Sequence, residues 1–158
     1  MKTVLFVCTG NTCRSSMAEY VFRDMLNKRG KGKGIKVLSA GISAFPGAKA
    51  SPEAIEVMKE LGIDLSPHRS RALTKDIIEK VDLILTMTHE HKKQILSIVP
   101  QAEGKVFTLK EFAQLEGSDI LDPFGKSIEE YRKSAREIKE ALEKSIDKIL
   151  DMVEEVKG

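Results

Sequence analysis

The stretch Val4-Leu5-Phe6-Val7-Cys8-Thr9-Gly10-Asn11-Thr12-Cys13-Arg14-Ser15 decides the architecture of this chain. Val4 to Val7 is a short apolar run bounded by polar, glycine-containing sequence, the pattern of a buried strand. Beyond it Met17, Ala18, Val21, Phe22 and Met25 recur at helical spacing, which predicts a helix from near Ser15 to about Lys28. Between strand and helix lies a loop that starts at Cys8 and ends at Arg14. Such a junction aims backbone N–H groups and a helix N-terminus at one point, which favours an anion and phosphate in particular. A thiol in a positive field of this kind is favoured as thiolate, its nucleophilic form. A phosphate cradle with a nucleophile at its base is the design of a phosphatase.

Outward from this stretch, strands and helices alternate. Arg29 to Gly34 is a glycine-rich basic turn, and Ile35 to Ala40 reads as a second strand ended by Gly41. Ser51-Pro52-Glu53-Ala54 carries the marks of a helix start, an N-cap serine with proline at the first helical position. Ile55, Met58 and Leu61 are predicted to form that helix's apolar face, with Gly62 as its stop. Asp64 to Arg71 reads as a polar, basic connection, and Thr74 as the cap of a short helix through about Glu79. The apolar run Val81 to Met87 predicts a buried parallel strand. The next helix opens at Thr88 to Glu90, carries Ile95, Ile98 and Val99, and stops at Pro100. Val106 to Leu109 reads as a fourth strand at a sheet edge. From Ser127, apolar residues at steps of three and four through Val153 predict one long amphipathic helix. The alternation implies an α/β domain with a mostly parallel sheet, whose ligand sits beyond the carboxyl ends of the strands.

The chain has 158 residues, enough for a substantial core, and residues 1–158 are expected to form a single domain. A formal net charge of +2 supplies no field that would recruit nucleic acid or a membrane surface. No signal-like segment opens the chain and no apolar run has membrane-spanning length, so cytoplasmic residence is expected. Two cysteines in one loop suit a reducing compartment and cannot supply a four-ligand zinc site unaided. No metal or other cofactor is expected.

Cys8-Thr9-Gly10-Asn11-Thr12-Cys13-Arg14-Ser15 resembles the phosphate-binding loop of the low-molecular-weight protein-tyrosine phosphatases. Asp122-Pro123-Phe124-Gly125 resembles that family's general-acid loop, which likewise comes late in the chain. The resemblance spans nearly the whole sequence. It implies a three-layer αβα fold with a four-stranded parallel sheet, and a phosphorylated protein or peptide as substrate.

Within this frame Cys8 is the candidate nucleophile, forming a phosphocysteine intermediate. Arg14 would hold two phosphoryl oxygens in a bidentate fork, and the backbone N–H groups of Thr9, Gly10, Asn11, Thr12, Cys13 and Arg14 would complete the cradle. Asn11 tolerates left-handed backbone and Ser15 can hydrogen-bond the thiolate, so both would shape the loop. The resemblance adds Ser39 and His68 to this support. Asp122 would protonate the leaving group and later activate water. Cys13 reads either as a redox partner that rescues oxidised Cys8 or as a packed thiol, and the sequence leaves both open.

Two substrate chemistries compete. Tyrosine-directed members carry an aliphatic residue where this chain has Thr12, and tandem aromatics after the Asp-Pro. Thr12, Asp122-Pro123-Phe124-Gly125, Thr86-Met87-Thr88-His89 and Lys105 to Glu111 instead resemble the protein-arginine phosphatase branch. A small hydroxyl can accept from guanidinium N–H groups where isoleucine would crowd them. Phe124 stacks equally on a phenol ring or a guanidinium. Phosphoarginine is the favoured substrate, with phosphotyrosine as the alternative. A thioredoxin-coupled arsenate reductase would need further cysteines, and a phosphopeptide-binding module has no use for Cys8 or Asp122. The long last helix is expected to dock on its own sheet, leaving a monomer or a weak homodimer.

Overall fold

The structure, a computed structural model, describes residues 2–154. Four strands form one sheet in the order β2-β1-β3-β4: β1 Lys2–Cys8, β2 Ile35–Gly41, β3 Leu83–Thr86 and β4 Val106–Thr108. Every pairing is parallel, with Cys8 opposite Gly41 at the carboxyl ends of β1 and β2. The helices are α1 Arg14–Lys28, α2 Pro52–Glu60, α3 Lys75–Lys80, α4 His89–Ile98, α5 Leu109–Phe112 and α6 Ile128–Glu154. A single 3-10 turn, Pro100–Ala102, follows α4.

Alternate residues of β1 serve opposite layers. Val4 and Phe6 pack against α1, α2 and α6, while Leu5 and Val7 face Ile78 of α3 and Ile95 of α4. This two-sided burial is why β1 and β3 are continuously apolar. Along α6, Tyr131, Ile138, Leu142, Ile146 and Ile149 bury one stripe against that core, so the helix docks on its own sheet as expected. Truncating one of these large residues to alanine is expected to cost about 2–5 kcal/mol. Among the described residues no helix is long and apolar enough to cross a membrane.

The caps agree with the sequence. Ser51, Thr74 and Thr88 accept hydrogen bonds from Ala54, Ile77 and His91 at the starts of their helices, and Gly62 has a φ of +77° after α2. Three apolar assignments need correction. The buried face of α2 is Ala54, Val57 and Met58, while Leu61 is exposed and Ile55 only half-buried. On α4, His91 and Ile95 are buried and Ile98 is exposed. The segment from Asp64 to Arg71 is more than a polar connection, because Leu65, His68 and Ser70 are buried. It straps the end of β2: Gly41 N donates to Arg71 O, and Leu73 N donates to Gly41 O.

The chain runs from β1 outward to β2, then crosses back to β3 on the other side of β1. The loops after β1 and β3 therefore diverge at their carboxyl ends, the crevice in which open α/β sheets bind ligands.

Candidate active site

The loop after β1 wraps around the Cys8 sulfur. Asn11 N and Ser15 N lie 3.3 and 3.4 Å from Sγ, and Ser15 Oγ lies 2.9 Å from it. Asn11 sits at a φ of +59°, the left-handed conformation that asparagine tolerates and that folds the loop back on the thiol. Gly41 makes room for it. A Cβ there would lie 2.5 Å from Thr9 O and 2.9 Å from Asn11 N, so only glycine permits the loop to rest on the end of β2.

A directional hydrogen-bond chain fixes the thiol's surroundings. Glu19, in the second turn of α1, accepts from Ser39 Oγ at 2.5 Å and also from Arg23. Because Ser39 spends its proton on Glu19, its oxygen accepts from Asn11 Nδ2 at 2.9 Å. The same amide nitrogen donates to Ser15 Oγ at 2.7 Å, and the Ser15 hydroxyl lies within reach of both Cys8 Sγ, at 2.9 Å, and the Ala40 carbonyl, at 3.5 Å. The other faces of Asn11 are occupied too: Oδ1 accepts from Arg71 N at 2.9 Å, and its carbonyl accepts from His68 Nε2 at 2.8 Å. Ser39 and His68 thus both meet Asn11. Glu19 and Gly41 escaped the sequence reading. The partners that tie them to the loop, Ser39 for Glu19 and Thr9 for Gly41, lie far along the chain.

Arg14 is buried at the first position of α1, with Nη1 donating to Ile120 O at 2.8 Å and Nη2 3.6 Å from Asp122 Oδ2. Its Nε has no hydrogen-bond partner. Among the described residues only one other buried side-chain polar atom shares that condition, His91 Nδ1. Both belong to this crevice, and such orphaned groups are rare enough in folded proteins to mark a place of function. His91 reaches in from α4 and meets Thr9 Oγ1 through Nε2 at 2.9 Å. Burial, followed by the positive charge of Arg14, lowers its pKa to about 4. The imidazole is therefore neutral at ordinary pH. The sequence reading missed it, since it registers only as an interruption on the buried side of α4.

Asp122 stands on the opposite wall. The root of its loop is anchored: Asp119 accepts from His89 N at 2.8 Å, Ile120 N donates to Met87 O at 2.8 Å, and Ser134 Oγ donates to Leu121 O at 3.2 Å. Beyond that root the loop opens to solvent, with the Asp122 side chain 49% exposed and Phe124 69% exposed. Asp122 Oδ1 accepts from Phe124 N at 3.1 Å, an Asx turn that holds the carboxylate over the crevice.

These groups enclose a cleft of about 200 Å³ lined by Cys8, Thr9, Gly10, Thr12, Cys13, Arg14, Asp122 and Phe124. Cys8 and Cys13 are both free and buried, and Cys13 Sγ lies 3.5 Å from Tyr131 Oη and 3.4 Å from Ser51 Oγ. Burial and the contact with Cys13 raise the Tyr131 pKa above its ordinary value. A sulfur faced by two backbone N–H groups and a hydroxyl, an arginine with an unspent N–H, and a carboxylate across a small cleft suit transfer of a phosphoryl group to sulfur.

The sequence pattern of the low molecular weight phosphotyrosine protein phosphatases matches residues 3–156. A protein-arginine-phosphatase of Bacillus subtilis (strain 168) is 45% identical over 139 residues, 88% of this chain and 91% of the relative. A solved structure of the YwlE arginine phosphatase, a mutant with a phosphorylated active site serine, is 43% identical with a TM-score of 0.86. It covers 94% of this chain and 95% of its own. A low molecular weight protein tyrosine phosphatase from T. tengcongensis is 45% identical with a TM-score of 0.87, covering 94% of this chain and 99% of its own. Matched along nearly its whole length by sequence and by fold, the chain belongs to the low molecular weight phosphotyrosine protein phosphatase family.

Proposed function

We propose that this protein is a cytoplasmic protein-arginine phosphatase working through a phosphocysteine at Cys8. The Sγ thiolate attacks phosphorus and the phosphorus–nitrogen bond breaks. Asp122 gives its proton to the departing guanidine nitrogen. In the second half, the Asp122 carboxylate takes a proton from water as that water attacks phosphocysteine, which releases phosphate and restores the thiolate. Arg14 and the loop amides balance the charge that spreads over the phosphoryl oxygens in both steps.

The observation that carries the substrate assignment is Thr12 in the wall of the cleft, beside Cys8, Arg14 and Asp122. Its hydroxyl offers an acceptor to guanidinium N–H groups at a point where a branched aliphatic side chain would offer none and would fill the space. The identity to a protein-arginine-phosphatase supports the same choice. Phosphotyrosine remains the second reading, because a tyrosine phosphatase is equally similar in sequence and fold.

The test compares kcat/KM on one peptide bearing phosphoarginine and the same peptide bearing phosphotyrosine, for the unaltered protein and for Thr12→Ile. Preference for phosphoarginine that reverses in Thr12→Ile is the expected result. Preference for phosphotyrosine by the unaltered protein would overturn the assignment.

A further inference from the structure

The catalytic cleft does not end at Phe124. A second, shallower cleft shares Thr12 and Phe124 with it and runs along the start of α2, lined also by Lys49, Ser51, Pro52, Ile55 and Glu56. Thr12 and Phe124 therefore form the sill between the phosphoryl site and a groove of about 620 Å³. A free phosphorylated amino acid would leave that groove empty. A polypeptide carrying the phosphorylated residue has to leave the phosphoryl site by some route, and this one is open and contiguous.

The charge along the groove is uneven. Lys49 lies directly opposite Arg69 in an isolated antiparallel bridge, an arrangement that sets two cations on one face. Like charges placed so are destabilising unless something balances them. Arg69 turns its guanidinium back onto the carbonyls of Ser66 and His68. Lys49 is exposed and makes no ion pair among the described residues, and neither does Arg71, two positions beyond its bridge partner. Glu56 is the one carboxylate in the groove lining, a full helical turn beyond Pro52. Ser51 N donates to Thr12 O at 3.0 Å, so Lys49, two residues before Ser51, belongs to the segment that meets the phosphoryl site, whereas Glu56 lies along α2.

We propose that this groove is a subsite for the substrate polypeptide, and that Lys49 receives an acidic side chain close to the phosphorylated residue. The proposal rests on the reading of this protein as a protein phosphatase, and it holds for phosphoarginine and phosphotyrosine alike. Ile55 and the aliphatic stem of Lys49 supply apolar surface for the peptide, and the ammonium supplies selectivity.

The test uses two phosphopeptides that differ only in the residues beside the phosphorylated position, glutamate in one and lysine in the other. Each is made with phosphoarginine and with phosphotyrosine. Values of kcat/KM are taken at low and high salt and divided by that of the same variant on p-nitrophenyl phosphate, which has no peptide to occupy the groove. The unaltered protein is expected to favour the glutamate peptide about threefold to fivefold at low salt, mainly through KM, with the ratio shrinking as salt rises. In Lys49→Ala the ratio should fall to about one, and in Lys49→Glu it should invert. A ratio that is the same in all three proteins overturns the subsite. A Lys49-dependent glutamate preference on both series, with the phosphotyrosine peptides turned over better than the phosphoarginine ones, keeps the subsite and removes the arginine assignment. Turnover of p-nitrophenyl phosphate without turnover of any peptide overturns both.

Discussion

The two walls of the catalytic cleft are built in opposite ways. On the Cys8 side, Cys8, Asn11, Cys13, Arg14 and Ser15 are buried and every side-chain face of Asn11 is spent on a partner, from Ser15 and Ser39 to Arg71. On the Asp122 side, a short anchored root carries a solvent-exposed tip whose carboxylate is held by one local turn and one 3.6 Å approach to Arg14. Phosphoryl transfer explains the contrast. The cradle must present its donors to a charge that redistributes between equatorial oxygens, and preorganised dipoles do this without reorganising at the moment of reaction. In the mechanism proposed above, Asp122 gives a proton to one partner and takes a proton from another, with water entering between the two steps. One wall is therefore over-determined and the other is left accessible.

The largest effects should fall where chemistry and contrast coincide. Cys8→Ser is expected to abolish turnover while the thermal midpoint stays close to that of the unaltered protein. Next is Asp122→Asn, which should lower kcat by about 10²- to 10⁴-fold with little change in stability, because the side chain is half exposed and an asparagine oxygen can still accept from Phe124 N. Asn11→Ala should do the reverse in kind, costing stability as well as rate. It strands buried partners at Ser15 and Ser39 and a part-buried one at Arg71 N, and a loss of about 3 kcal/mol in denaturant unfolding is expected. If Asn11→Ala were as stable as the unaltered protein, the cradle would not be the rigid wall described.

A smaller effect concerns pH. His91 is lowered from an ordinary 6.5 to about 4 by burial and by Arg14, so between those values the unfolded chain binds a proton that the folded protein refuses. Stability on this account is complete above pH 6.5 and declines as pH falls toward 4. Thermal midpoints of His91→Asn across that range should lose this part of the slope. Smallest of all, Phe124→Ala should raise KM on peptide substrates a few-fold and leave stability alone, since the ring is 69% exposed.

How much of this was legible in the sequence follows from the range of the interactions. The strand, loop and helix around Cys8 were readable because their signals are local: an apolar run, a glycine-bearing loop and a helical period within 25 residues. Caps at Ser51 and Thr74 were readable for the same reason. Leu61 and Ile98 were misassigned to buried faces because periodicity alone cannot say where a helix rotates away from its layer. The strap from Asp64 to Arg71 looked like a solvated connection, since its worth lies in backbone hydrogen bonds to Gly41 and Asn11. Glu19, Gly41 and His91 carry no mark of their own. Each acquires its role only when the sheet brings its partner alongside.

The most direct test uses Asp122→Asn with p-nitrophenyl phosphate, whose leaving group departs without a donated proton. The account predicts a burst of one nitrophenolate per enzyme followed by slow turnover, and one phosphoryl group on the peptide containing Cys8 after a rapid quench. A steady rate without a burst, or a phosphoryl group found elsewhere than Cys8, would contradict it.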